Sequence, residues 1–146
     1  MPDRRAALAL CLALVACSTS KPTMTFTSAN PFANPSPLQY QAPVFDKIHN
    51  EDFQPAIEEG MRLQLVEAAT IAADTAPPTF DNTIVALERS GQLLTRANNV
   101  FQSLTQANTN DTLQRLQTEI APRLAAHSDA IRLNPALFAR IKALHD

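Results

Sequence analysis

Glycine is almost missing from this chain: Gly60 and Gly91 are the only two in 146 residues, and neither sits in a glycine-rich loop ahead of a helix. A backbone cradle for nucleotide phosphates is therefore excluded, because that motif relies on glycines to bring amide groups up to the phosphates. Aromatic residues are also few, at 5% with no Trp, so the core has to be mostly aliphatic. Charge of neither sign dominates: the net value is -2 and the 12 Lys and Arg are scattered. Nucleic acid is not an expected partner, since neutralising its phosphates takes clustered cations. The two cysteines, Cys11 and Cys17, fall near the amino terminus, and no disulfide is expected. What remains, 45% hydrophobic and 18% charged residues, suits a single globular unit.

The amino end reads as an export signal. Met1-Pro2-Asp3-Arg4-Arg5 supplies a charged start, and the apolar run from Ala6 to Ala16 is too short to span a bilayer, which takes about 20 residues. Leu14-Val15-Ala16-Cys17 resembles the lipobox of bacterial lipoproteins. Residues 1–16 are thus expected to be a lipoprotein signal peptide, with Cys17 becoming the lipidated new terminus and a membrane anchor. Ser18, where an Asp would signal retention, points to the outer membrane, facing the periplasm.

Residues 17–43 form a tether and an extended Pro-rich arm, because Pro22, Pro31, Pro35, Pro37 and Pro43 each bar the preceding residue from a helix. Phe32, Leu38, Tyr40 and Phe45 make the second part of this arm apolar enough to pack on something.

From residue 44 onward the hydrophobic period is helical, so the expected class is all-α, with helices near 50–74, 82–107, 111–132 and 135–146. Asn50 is the expected cap of the first, whose face is Ile57, Met61, Leu65, Ala68 and Ala72. The second carries Ile84, Leu87, Gly91, Leu94, Asn98, Phe101 and Thr105 in three-four alternation, with Asn98 expected to be buried and hydrogen-bonded. Leu113, Leu116, Ile120, Leu124 and His127 line the third. The fourth begins at Asn134-Pro135 and lacks a C-cap signal before Asp146, which predicts a truncated piece of a longer protein.

No chemistry converges in this pattern. A helical zinc motif places two His one turn apart around a Glu, whereas His49, His127 and His145 lie in separate segments. His127-Ser128-Asp129 is not a triad, because adjacent residues on a helix point apart. Glu58-Glu59 reads as a solvated face. No catalytic residue, metal ligand or cofactor is expected in the chain itself.

Four ordered segments carry a resemblance. Asn30-Pro31-Phe32, Phe53-Gln54-Pro55-Ala56-Ile57-Glu58-Glu59-Gly60-Met61, Pro78 through Gly91 (with Phe80-Asp81-Asn82-Thr83-Ile84 and Leu87), and Leu137-Phe138-Ala139-Arg140-Ile141 together resemble the thimet oligopeptidase family of zinc metallopeptidases, most of all its bacterial peptidyl-dipeptidase branch. The resemblance implies an amino-terminal helical scaffold segment of a larger, two-lobed, all-helical metallopeptidase that acts on short peptides. It also implies that zinc, expected in the full-length parent, is bound far beyond this chain. Carried onto these positions it makes Phe80, Ile84 and Leu87 core residues, Asn82 a helix start and Gly91 a packing contact. The chain is then the non-catalytic, amino-terminal portion of an exported zinc peptidase, inactive alone. The alternative is a complete helical lipoprotein that binds a partner and has no enzymatic activity.

Overall fold

The computed structural model describes residues 25–145. The signal peptide expected over 1–16, Cys17, the tether up to residue 24 and Asp146 lie outside the described residues. Within them the chain is all-helical, with short 3-10 turns at Gln39–Gln41 and Phe45–Lys47 ahead of five helices and no strand.

Helix α1 is Asn50–Ala73. Its cap falls one residue earlier than expected: His49 is extended (φ -112, ψ 161), and the Asp52 carboxylate accepts the His49 backbone N–H at 2.7 Å. Asn50 is instead in the first turn, where its side-chain amide donates to Asn110 Oδ1 at 3.4 Å. The buried face runs through Phe53, Ala56, Ile57, Gly60, Met61 and Ala68. Leu65, expected on that face, is exposed.

The helix expected over 82–107 is two helices. In α2, a π-helical stretch Asp81–Val85 passes into an α turn Ala86–Glu88. Gly91 then adopts φ +69, a left-handed conformation that a residue without Cβ takes without penalty, and α3 (Gln92–Ala107) starts afresh. The break resets the helical phase. The buried residues of α3 are Leu93, Ala97, Val100 and Phe101, with Leu94 and Leu104 half-buried beside them. Asn98, read as a hydrogen-bonded seam residue, has a buried Oδ1 with no partner among the described residues.

Helix α4 is Asp111–Arg132, capped by Asn110, whose side chain accepts from the Thr112 and Leu113 amides at 3.0 Å each. Helix α5 is Pro135–Lys142, shorter than the expected 135–146. Asn134 caps it by accepting from Ala136 and Leu137, and Pro135 occupies the first turn, where its missing N–H has no intrahelical role.

Helices α1, α3 and α4 enclose the core. Gly60 is where α1 and α3 meet: a Cβ there would lie 2.6 Å from the Leu94 backbone nitrogen. Phe53 sits at the centre between Phe32 and Phe101, with ring centroids 5.3 and 5.4 Å apart. Leu113, Leu116 and Ile120 of α4 close this cluster.

The arm is anchored by Phe32, with Phe26 half-buried against the same core cluster. The arm expected to pack does so through Phe32, which is buried, whereas Leu38, Phe45 and Tyr40 are exposed, Tyr40 at 92%. The cause is local: Asn30 Nδ2 donates to the Asp52 carbonyl at 3.0 Å and Arg96 Nη2 to the Phe32 carbonyl at 3.1 Å, which pins the Asn30-Pro31-Phe32 turn. Beyond it the chain loops outward, and Tyr40 and Gln41 both take φ 56.

Candidate functional site

The five residues singled out from the sequence do not form a pocket. Phe80 is 66% exposed and not a core residue, because Thr79 is the effective cap of α2 and the first helical residue after it points outward. Asn82 completes that cap: the Thr79 N–H donates to Asn82 Oδ1 at 2.7 Å, and the Asn82 N–H to Thr79 Oγ1 at 3.1 Å. The helix therefore starts before Asn82. Ile84 and Leu87 are half-buried. Gly91 is buried, its N–H donates to Glu67 Oε2 at 2.7 Å, and a Cβ there would collide with the Gln64 side chain of α1.

Thr83, not Phe80, is the buried residue of α2, and beside it lies an unpredicted node. Arg140 of α5 is only 7% exposed. Its Nη1 donates to the carbonyls of Asp74 and, at 3.2 Å, Ala76; its Nη2 reaches Asn82 Oδ1 at 3.0 Å and the Asp74 carboxylate at 3.3 Å. One guanidinium thus ties α5 to the α1–α2 connection and to the cap of α2. The signal was present in the spacing, since Leu137 and Arg140 are three apart and share the inward face.

The histidines stay apart. His127 of α4 is buried, and its Nε2 lies 2.8 Å from Gln64 Oε1, while Gln64 Nε2 donates to Ser90 Oγ at 3.3 Å. That orientation of the Gln64 amide makes Nε2 the protonated nitrogen and leaves Nδ1 buried without a partner. Burial lowers the His127 pKa below the ordinary imidazole value. His49 sits at the α1 cap, and no group of three or more His, Cys, Asp and Glu among the described residues could hold a metal ion. The described residues therefore do not fit a zinc centre.

Glu58 and Glu59 are not a plain solvated pair. Glu58 joins α1 to α4 through an ion pair with Arg123, and Glu59 pairs with Arg62 at 2.7 Å on its own helix. Burial pushes the Glu58 pKa up, but hydrogen bonds from Arg123 and Gln54 and the Arg123 charge outweigh it, and the net direction is down.

A cavity of about 590 Å³ forms a groove between the Pro-rich arm and α3. Phe32, Val44, Ile48 and Val100 give it apolar walls, and Lys47 and Arg96 are its cations. A shallower depression of about 320 Å³ lies between α1 and α2.

Many of the polar side chains of this all-helical unit serve as helix caps and as ties between helices. The comparisons give the class: the chain carries a peptidase-related region. It is 48% identical over 118 residues to dipeptidyl carboxypeptidase of Escherichia coli (strain K12), and 49% identical over 117 residues to dipeptidyl carboxypeptidase of Salmonella typhimurium (strain LT2). These alignments cover 81% and 80% of this chain but 17% of each relative, so the chain spans about a sixth of their length. No protein-family model matches it.

Proposed function

We propose that this chain supplies the amino-terminal, non-catalytic helical scaffold of an exported zinc metallopeptidase of the thimet oligopeptidase family, of peptidyl-dipeptidase type, acting on short peptides. The observation that carries the reading is the near-50% identity to proteins named dipeptidyl carboxypeptidase, concentrated in a stretch that makes up 17% of each. In this reading zinc and the hydrolytic groups belong to polypeptide other than residues 25–145, and no step of hydrolysis is assigned to these side chains. Their part is mechanical: the Phe32–Phe53–Phe101 stack and the Arg140 node hold one wall of a larger enzyme in shape. Cys17 would carry the lipid, anchoring the protein in the bacterial envelope at the outer membrane, facing the periplasm.

The test is fragment complementation. A dipeptidyl carboxypeptidase deprived of its matching segment is expected to release dipeptides from a blocked tripeptide only when this chain is co-expressed, and the chain alone is expected to be inactive and free of stoichiometric zinc. Turnover by the purified chain alone would overturn the non-catalytic assignment. A chain that folds stably yet never complements favours a self-standing helical lipoprotein instead. For the anchor, radiolabelled palmitate is expected on the wild type and not on Cys17→Ser.

A further inference from the structure

The groove between the arm and α3 has no task in the scaffold reading. Its shape is set by rigid parts: Pro31, Pro35, Pro37 and Pro43 line the arm side, and helix α3 presents Arg96 and Val100 on the other. At about 590 Å³ it is within the size range of small-molecule sites, roughly 300–1,000 Å³.

The charge of the groove is one-sided. Lys47 and Arg96 line it, and no Asp or Glu does. The Arg96 guanidinium is held in place, with Nη2 donating to the carbonyls of Phe32 and Ala33, and its Nε is buried without a partner. No carboxylate among the described residues pairs with it or with Lys47. A partly buried cation without a counter-ion is unfavourable by itself, and an anion arriving in the adjoining groove relieves it. Burial also lowers the Arg96 pKa, in keeping with that lack of compensation. Alongside the two cations, the half-buried Val44 and Ile48 offer apolar surface.

We propose that this groove is a binding site for an amphipathic carboxylate, its carboxylate group taken by Lys47 and Arg96 and its apolar portion laid against Val44 and Ile48. Two sources share that chemistry, the free carboxyl end of a short peptide and a simple aliphatic acid.

The 146-residue chain is titrated by isothermal calorimetry with N-acetyl-leucyl-phenylalanine, with the same dipeptide amidated at its carboxyl end, and with octanoate. The amide is expected to bind about tenfold or more weakly than the free acid. Binding of both acids identifies the site as one for amphipathic acids at large, and binding of the peptide acid alone identifies a peptide terminus. Equal binding of acid and amide, or no binding of either acid, would overturn the proposal. Arg96→Gln also releases the Phe32 turn, so the decisive variant is Lys47→Gln, at an exposed side chain with no partner among the described residues. Unchanged in its unfolding curve, Lys47→Gln is expected to weaken peptide binding about fivefold, and an unaltered affinity overturns the assignment of the groove. Binding here and complementation of a shortened peptidase can fail separately, so the two readings stand or fall on different measurements.

Discussion

Two glycines and one histidine hold positions that no other side chain fills in the same way. At Gly60 the α1 and α3 backbones are so close that a methyl group would lie 2.6 Å from the Leu94 nitrogen and 2.7 Å from its Cα. Neither atom is the tip of a flexible side chain, so one helix has to move. Gly60→Ala gains up to about 1 kcal/mol of helix propensity, yet the overpacking outweighs it. We expect a net loss of about 1–3 kcal/mol, read from the urea midpoint at unchanged slope. His127 answers to pH. Its folded pKa is depressed by burial, so the native state binds fewer protons than the unfolded chain once pH falls below the ordinary imidazole value of about 6.5. The stability that neutral His127 contributes is complete above that value and is lost as pH falls toward and through the depressed folded pKa. Protonation also places a second N–H at the buried Nδ1, which has no acceptor. The wild type should therefore lose urea resistance between pH 7.5 and pH 5, and His127→Gln should lose distinctly less over the same interval. Equal losses would show that some other group governs the acid limb.

Among the elements, α5 depends most on a single side chain. It is an eight-residue helix, too short to persist by propensity, and only Leu137 and Arg140 of it are buried. Removing the Arg140 guanidinium leaves the Asp74 and Ala76 carbonyls and Asn82 Oδ1 without their shared donor. Arg140→Met is expected to cost about 2–4 kcal/mol and to strip hydrogen-exchange protection from α5 and the start of α2 ahead of α1 and α3. Uniform loss of protection across all helices would count against a local tie. How well each element could be read from the sequence follows from where its signals lie. Asn110 and Asn134 are caps written in one residue each, so the starts of α4 and α5 fell where expected. The break at Gly91 was hidden, because Ile84, Leu87, Leu94 and Phe101 keep a three-four spacing straight across it. A π-helical turn and a left-handed glycine together shift the true phase, and neither alters a pattern of residue types.

Taken whole, the molecule leaves several large apolar side chains in solvent: Phe80, Leu133, Phe138 and Ile141 at the α2 and α5 end, and Leu38, Tyr40 and Phe45 on the arm. Hydrophobic periodicity tells core from surface only while everything that covers a residue is within view of the pattern. Phe80 and Phe138 belong to segments that resemble a peptidase, and a core place for Phe80 is what that likeness implies; with residues 25–145 alone both are exposed. The groove beside α3 was illegible for another reason. Lys47 and Arg96 lie far apart in sequence, and only the fold of the arm over α3 brings them to one cavity. The exposed phenylalanines give the last test. If they are free in the chain itself, Phe80→Ser with Phe138→Ser should change folding stability by no more than about 0.5 kcal/mol each and raise the soluble fraction on concentration. If the scaffold reading holds, the same double variant should fail to complement the shortened peptidase although it folds as well as the wild type, because the surface it alters is then covered by the rest of the enzyme. A double variant that complements fully would remove that face from any role in assembly. One that unfolds would mean that Phe80 and Phe138 are packed within the chain after all.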